Sequence, residues 1–200
     1  MSTPSRPATG AAVLRPELTA AVVEAVLTEL GEYGYGRLSM QRVAARAGVG
    51  KSALYRRWPG REEMVIDVVA RFGVPDRPLP DSGSLAGDLR ELVREMRDWL
   101  AHPRLAPIVV DLLAESRRSP RLAAAFRDGL AGPRRHRSSA VLERAVARGE
   151  IGRLDPVDVD LVLDVLGSVP FWRVAVHGAD IDDAQADGLV RMVARGLGAG

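Results

Sequence analysis

SMQRVAARAGVGKSALYRRWPGR, residues 39–61, reads as two short helices joined by a glycine turn, each apolar on one face. Ser39 is a residue type that accepts a hydrogen bond from a helix's first turn, so it marks a start. The spacing predicts a helix over residues 40–47 that buries Met40, Val43, Ala44 and Ala47. Gly48 stops it and Val49 plugs the turn. A second helix is predicted over residues 51–57, with Leu54, Tyr55 and Trp58 directed at the core and Pro59 and Gly60 ending it. Lys51, Ser52, Ala53, Arg56 and Arg57 are then left outside the core. Small residues at the start of a helix let its backbone approach a groove closely, which is the anatomy of a DNA recognition helix.

The charge pattern points the same way. Seven basic residues, Arg37, Arg42, Arg46, Lys51, Arg56, Arg57 and Arg61, stand in a window without a single acid. The whole chain carries a formal net charge of only +2, and Lys51 is its one lysine. A basic run by itself also reads as a solvated face. Around a pair of helices of this kind, the arginines suit phosphate contact, which supplies affinity without sequence information.

Outward from this unit the pattern stays helical. Residues 1–12 are small and polar and read as a disordered tail. Leu18, Val22, Val26 and Leu30 recur every four residues in a first helix that opens at Pro16 and Glu17 and ends at Gly34 and Gly36. Met64, Val65, Val68, Val69 and Phe72 mark a fourth helix. Pro75, Pro78, Pro80 and Gly83 then form the one clear linker, which divides the chain into residues 14–74 and 75–200. Beyond it only helices are predicted, with starts at Ser119-Pro120 and Asp155-Pro156 and a kink or break at Gly132-Pro133. Both parts are expected to be all-α.

Composition excludes several functions. No cysteine means no disulfide and no thiolate metal site, in keeping with a reducing cytoplasm. His102, His136 and His177 stand far apart and not at metal-ligand spacing. No apolar run approaches the roughly 18 residues of a membrane span. Glu24 interrupts the apolar run at residues 20–27, so no secretory leader is read there. Gly50-Lys51-Ser52 resembles the end of a phosphate-binding loop, but Ala45 stands where that loop needs glycine and the preceding residues read as helix rather than strand. Gly48-x-Gly50-x-x-Ala53 likewise lacks the strand of a dinucleotide site. No nucleophile elbow or paired histidine is present. Neither catalysis nor a cofactor is expected.

Residues 38–64 as a whole resemble the signature of the tetracycline-repressor (TetR) family. The likeness rests on Ala44, Ala47-Gly48-Val49, Leu54-Tyr55, the aromatic Trp58 and the basic Arg61, and it extends over residues 14–72. The family implies a homodimeric transcriptional regulator, most often a repressor, in which a three-helix DNA-binding unit is joined by a fourth helix to an all-α ligand-binding domain. The resemblance places Ser39, Tyr55, Arg57 and Arg61 at phosphate-contacting positions and Gln41, Lys51, Ser52 and Ala53 at base-facing ones. Arg42 joins the DNA-contacting set. A near-palindromic double-stranded operator is implied as partner. Two positions depart from the family: Gly50 stands where a polar cap is common, and Arg57 where an aromatic or histidine is common. Residues 148–151, before Asp155, resemble the turn that precedes the family's dimerisation helix.

The C-terminal part is read more coarsely. Breaks at Pro103, Pro107 and Gly132-Pro133 keep neighbouring helices from packing along their full length, and such gaps are where small molecules bind. Met96, Trp99, Ile108, Leu112, Phe126, Leu130, Phe171 and Trp172 are the candidate pocket residues, although the same types also fill ordinary cores. Their bulk points to a largely hydrophobic ligand. Residues 134–137, Arg-Arg-His-Arg, read either as an anion site or as a solvated face. Residues 157–176 are apolar nearly all round, too much for a helix with a wet side. With Leu189, Val190, Val193 and Leu197 of the last helix they are expected to form a four-helix dimer interface.

Overall fold

The computed structural model describes residues 16–72 and 77–198. The N-terminal tail and the first part of the linker lie outside them. The described residues hold α-helices and no strand: α1 Pro16–Arg37, α2 Met40–Arg46, α3 Lys51–Arg57, α4 Arg61–Phe72, α5 Leu85–Leu100, α6 Leu105–Ser116, α7 Pro120–Phe126, α8 Gly132–Ala147, α9 Pro156–Phe171 and α10 Asp183–Gly196. The all-α expectation is met.

Side chains chosen for the purpose start the helices. Ser39 Oγ accepts from the Arg42 amide at 3.4 Å, Ser84 Oγ from Gly87 at 3.2 Å, Ser119 Oγ from Leu122 at 3.2 Å and Asp155 Oδ1 from Val157 at 2.8 Å. At α10 Asp182 and Gln185 cap each other's backbone reciprocally. Gly50, in contrast, offers α3 no side-chain cap.

Two glycines shape the fold. Gly34 takes φ +72°, a left-handed conformation closed to most side chains, and α1 kinks there before its final turn. A β-carbon at Gly34 would also sit 3.2 Å from Asp111 Oδ2 of α6. The second is Gly129. Between α7 and α8 the chain does not break at Gly132-Pro133 as the sequence suggests. It stays helical and widens by one residue over Arg127–Ala131, with the Gly132 amide donating to Arg127 O five residues back. Proline has no N–H to donate and crowds the carbonyl four residues earlier, and a wider π turn accommodates both. Gly129 in this turn comes so near α4 that a β-carbon would lie 3.3 Å from the Ala70 Cα.

The helices bury two apolar clusters. One joins Val22, Val26 and Leu30 of α1, Val43 and Leu54 of α2 and α3, and Val65 and Val68 of α4 with Leu105, Ile108 and Leu112 of α6 and Leu122 of α7. The other joins Leu85, Leu89 and Val93 of α5, Val141 and Leu142 of α8, Leu163 and Leu166 of α9, and Leu189, Val190 and Val193 of α10. Packing therefore does not follow the linker: α6 and α7 come after it but complete the core begun by α1 and α4. Burial of Leu189, Val190 and Val193 also corrects their expected place in a dimer interface, because they are spent inside the subunit.

Beneath the second cluster lies a fully buried carboxylate, Asp88. It accepts from the Ser82 amide at 2.6 Å, the Ser82 hydroxyl at 2.8 Å and Arg148 Nη2 at 3.2 Å. Burial alone would raise its pKa, but these donors outweigh it and hold the carboxyl below its ordinary value. A group depressed in the folded state adds stability that is complete above the unfolded pKa and is lost as pH falls through the folded one. Asp88→Asn should therefore cost about 3 kcal/mol at neutral pH, since it removes the charge paired with Arg148 and turns an amide NH2 toward groups that are themselves donors. Urea denaturation at pH 7 and pH 3 checks this, and the gap from wild type should narrow at the lower pH.

Candidate nucleic-acid interface and ligand cavity

The helix-turn-helix is fixed to α1 by a second buried carboxylate. Glu29, fully enclosed, accepts from Arg42 Nε at 2.6 Å and Arg46 Nε at 2.9 Å, one turn apart on α2. Arg42 Nη2 also donates to Arg37 O at 2.6 Å, and its guanidinium lies 4.4 Å over the Tyr33 ring. Arg46 reaches Glu32 as well. Both arginines of α2 are thus engaged in setting its angle, and Arg42, placed in the DNA-contacting set from sequence, is held by Glu29 and Arg37 O. After α2, Gly48 takes φ +64° and turns the chain, and the Val49 amide closes onto Ala44 O at 3.0 Å.

α3 places Leu54 inward and exposes Lys51, Ser52, Tyr55 and Arg56 on one face. Tyr55, expected in the core, is 42% exposed. The reason is helical phase: Leu54 and Trp58, four apart, fill the inward side, which turns residue 55 outward. Lys51 Nζ stands 5.9 Å from the Tyr55 ring centre. Arg56 has no ion pair or hydrogen bond among the described residues. Arg57 is turned aside instead, with its guanidinium 4.8 Å over Trp58 and 3.6 Å from Asp67. Arg61 donates to Gly36 O at 2.9 Å and lies 4.9 Å from the Tyr35 ring centre, so it caps the end of α1. Gln41 is exposed, while Ser39 and Ala53 are half-buried. Arg56 belongs with Lys51, Ser52 and Tyr55, and the period of four from Ser52 through Arg56 was the signal for it.

In the C-terminal part α5, α6, α7, α8 and α9 line a cavity of about 570 Å³. Met96, Trp99, Phe126, Leu130 and Phe171 line it, as five of the eight candidates. The other three do not. Ile108 and Leu112 are buried in the core that α6 shares with α1. Trp172 is 56% exposed, in the widened turn Trp172–Val176 that follows α9. Arg134, Arg135 and Arg137, from the basic run that reads in sequence as an anion site or a solvated face, also stand in the wall. Arg137 pairs with both oxygens of Glu95, at 3.1 and 3.2 Å. Arg134 lies 4.2 Å over the Trp99 ring, and neither its Nε and Nη2 nor Trp99 Nε1 finds an acceptor among the described residues. Burial pushes Arg134 down to about 10, with Arg137 adding to the effect and Glu95 opposing it, which leaves it charged at neutral pH.

Two family models match the chain. The one described as "Bacterial regulatory proteins, tetR family" covers residues 22–68, and "Tetracyclin repressor-like, C-terminal domain" covers residues 79–193, more than half of the chain. The chain belongs to the TetR family. A DNA-binding transcriptional repressor from Mycobacteroides abscessus is 34% identical over 171 residues, covering 83% of this chain and 86% of its own. Among solved structures, a TetR family transcription regulator is 27% identical with a TM-score of 0.65, covering 90% of this chain and 98% of its own. A flavonoid-responsive regulator shares the fold with a TM-score of 0.71 at 23% identity, covering 92% of this chain and 96% of its own.

This TetR-family chain is accordingly a transcriptional regulator with a helix-turn-helix for DNA. No helix among the described residues is long and apolar enough to cross a membrane. The geometry separates its basic residues by what they are free to do. Arg56→Ala should weaken binding to all DNA sequences and lower the salt slope by about one unit per subunit, because each neutralised phosphate releases counterions. Arg57→Ala should change the slope less. Arg61→Ala should weaken binding and also lower thermal stability, because Gly36 O at the end of α1 loses its side-chain donor. Binding isotherms at several salt concentrations, with melting curves for each variant, check all three.

Proposed function

We propose that the protein is a homodimeric repressor that reads a near-palindromic operator through α3 and leaves it when a small molecule fills the cavity. The reading rests chiefly on one observation, the seam between cavity and DNA-binding unit. Leu130 and Ala131 line the cavity from the same widened turn in which Gly129 touches Ala70 of α4. A ligand that displaces this turn displaces α4, and α4 follows α3 after only three residues. Release is then a shift between two dimer states that differ in the spacing of the recognition helices, driven by the ligand's greater affinity for one of them. A cavity of this size also favours a ligand-released regulator over a constitutive DNA binder. Residues 14–74 then hold DNA, residues 75–200 sense and dimerise, and the protein works in the cytoplasm.

The dimer surface in this reading is the unpaired apolar face of α9, with Val157, Leu161 and Val165 at four-residue intervals. Leu161 is 58% exposed in the single subunit, and Met192 of α10 is 73% exposed. Charging these two side chains, in Leu161→Glu with Met192→Glu, should give folded monomers whose operator affinity falls about tenfold or more, since the two half-sites are no longer linked. Sedimentation and DNA titration check this; a wild-type monomer at micromolar concentration overturns the dimer.

Mapping the protein's binding sites across its own genome, beginning with its own promoter, tests the regulator reading directly. On an operator found that way, Lys51→Ala should cost about 1–3 kcal/mol and relax base preference at one position per half-site. Equal loss on operator and scrambled DNA would make Lys51 a phosphate contact.

A further inference from the structure

We infer that the cavity takes an amphipathic acid, an apolar body carrying one anionic group, and that Arg134 over Trp99 receives that group. The inference deepens the ligand-released reading above and rests on it.

The walls divide into an apolar lining and a set of unanswered donors. Met96, Phe126, Leu130 and Phe171 offer apolar surface to most of the space. Against them stand Trp99 Nε1, Arg134 Nε, Arg134 Nη2 and Arg137 Nε, four buried N–H groups on lining residues without an acceptor among the described residues. No buried side-chain acceptor in the wall is left in the same state. A buried donor without a partner is costly, and a ligand that brings acceptors removes that cost.

Charge sharpens the choice. The other cations of the wall are already answered. Arg137 is held by Glu95, and both side chains are nearly enclosed, 13% and 11% exposed. Arg135 pairs with Asp160 at 2.8 Å and also reaches Asp164. Arg134 forms no ion pair among the described residues. Its compensation is the face of Trp99, and a ring quadrupole offsets only part of the loss of water around a guanidinium. A planar fork of donors with one positive charge matches a carboxylate or sulfonate. A cationic ligand finds no such counterpart, since Glu95 and Asp164 are both spoken for. A neutral apolar ligand fills the cavity but leaves the donors as they were.

Two fluorescent probes isolate the anionic group. 8-Anilinonaphthalene-1-sulfonate and N-phenyl-1-naphthylamine share one ring system and differ by the sulfonate. Titrated into the full-length protein, the sulfonate should bind one per subunit at least about tenfold more tightly than the neutral amine, from the strength of charge-assisted hydrogen bonds. Sodium decanoate should displace it well below the concentration of 1-decanol needed. Arg134→Met should bring the two dyes within about twofold of each other while the amine's affinity stays, which shows that the cavity is intact. If Arg134→Met does not fold, Arg134→Lys decides: it keeps the charge but loses the fork and the Nε donor, and should bind the sulfonate several-fold more weakly with the amine unchanged. Equal affinities in wild type, or a sulfonate preference untouched by both substitutions, overturns the inference but leaves the ligand cavity standing. Absence of saturable binding by either dye overturns the cavity reading and this inference with it.

Discussion

The end of α1 is held from two sides, and the placement of the DNA-reading helices depends on that grip. Gly34 turns the chain into the left-handed region, and the freed Tyr35 amide donates to Asp111 Oδ2 of α6 at 2.5 Å. From the other side Arg61, the first residue of α4, covers the carbonyls of Tyr35 and Gly36. The last turn of a helix leaves carbonyls without partners, and here a side chain from the next part of the fold supplies one. One joint therefore ties α1, α4 and α6 together. Glu29, one turn and a half earlier, ties α2 to the same helix. Thr28 and Glu24 bind Arg104 at 3.1 and 2.9 Å and extend the attachment along α1 toward the start of α6.

The consequence is a regulator whose two parts share a core. Leu105, Ile108 and Leu112 follow the linker in sequence, but they pack among Val22, Val26 and Leu30. Close-packed interiors pass displacement on rather than absorb it. Movement of α6 or of the turn before α8 then falls on α1 and α4 without an intervening loop to dissipate it. Ser119 at the start of α7 hydrogen-bonds Glu62, and Arg121 pairs with Glu63 at 2.7 Å, so the second helix of that seam is pinned to α4 as well.

Much of the fold was legible in the sequence because its signals are local. Ser39, Ser119 and Asp155 stand where short-range capping demands them, and Pro59 and Gly60 mark the end of α3. What escaped is set at long range. Arg42 and Arg57 look like free cations in sequence, and only the folded chain brings Glu29 and Asp67 to them. Tyr55 was assigned inward by residue type, whereas the phase of Leu54 and Trp58 decides it. In the cavity the aromatic and methionine residues were identifiable by bulk. Ile108 and Leu112 share that character but face the other core. Arg134 was hidden inside a basic run whose other members answer to acids on α5 and α9, so its solitary state exists only in three dimensions.

With 27 arginines and a single lysine, this chain carries a side-chain primary amine in one place, and that place is the exposed opening turn of α3. An arginine guanidinium is a poor nucleophile, whereas a lysine amine is the usual target of acylation. Acylating reagents aimed at lysine therefore have one side chain to modify. The product replaces a cation by a neutral amide on the exposed face of α3. A label placed there would report on that surface alone, and bound DNA would shield the amine from the reagent.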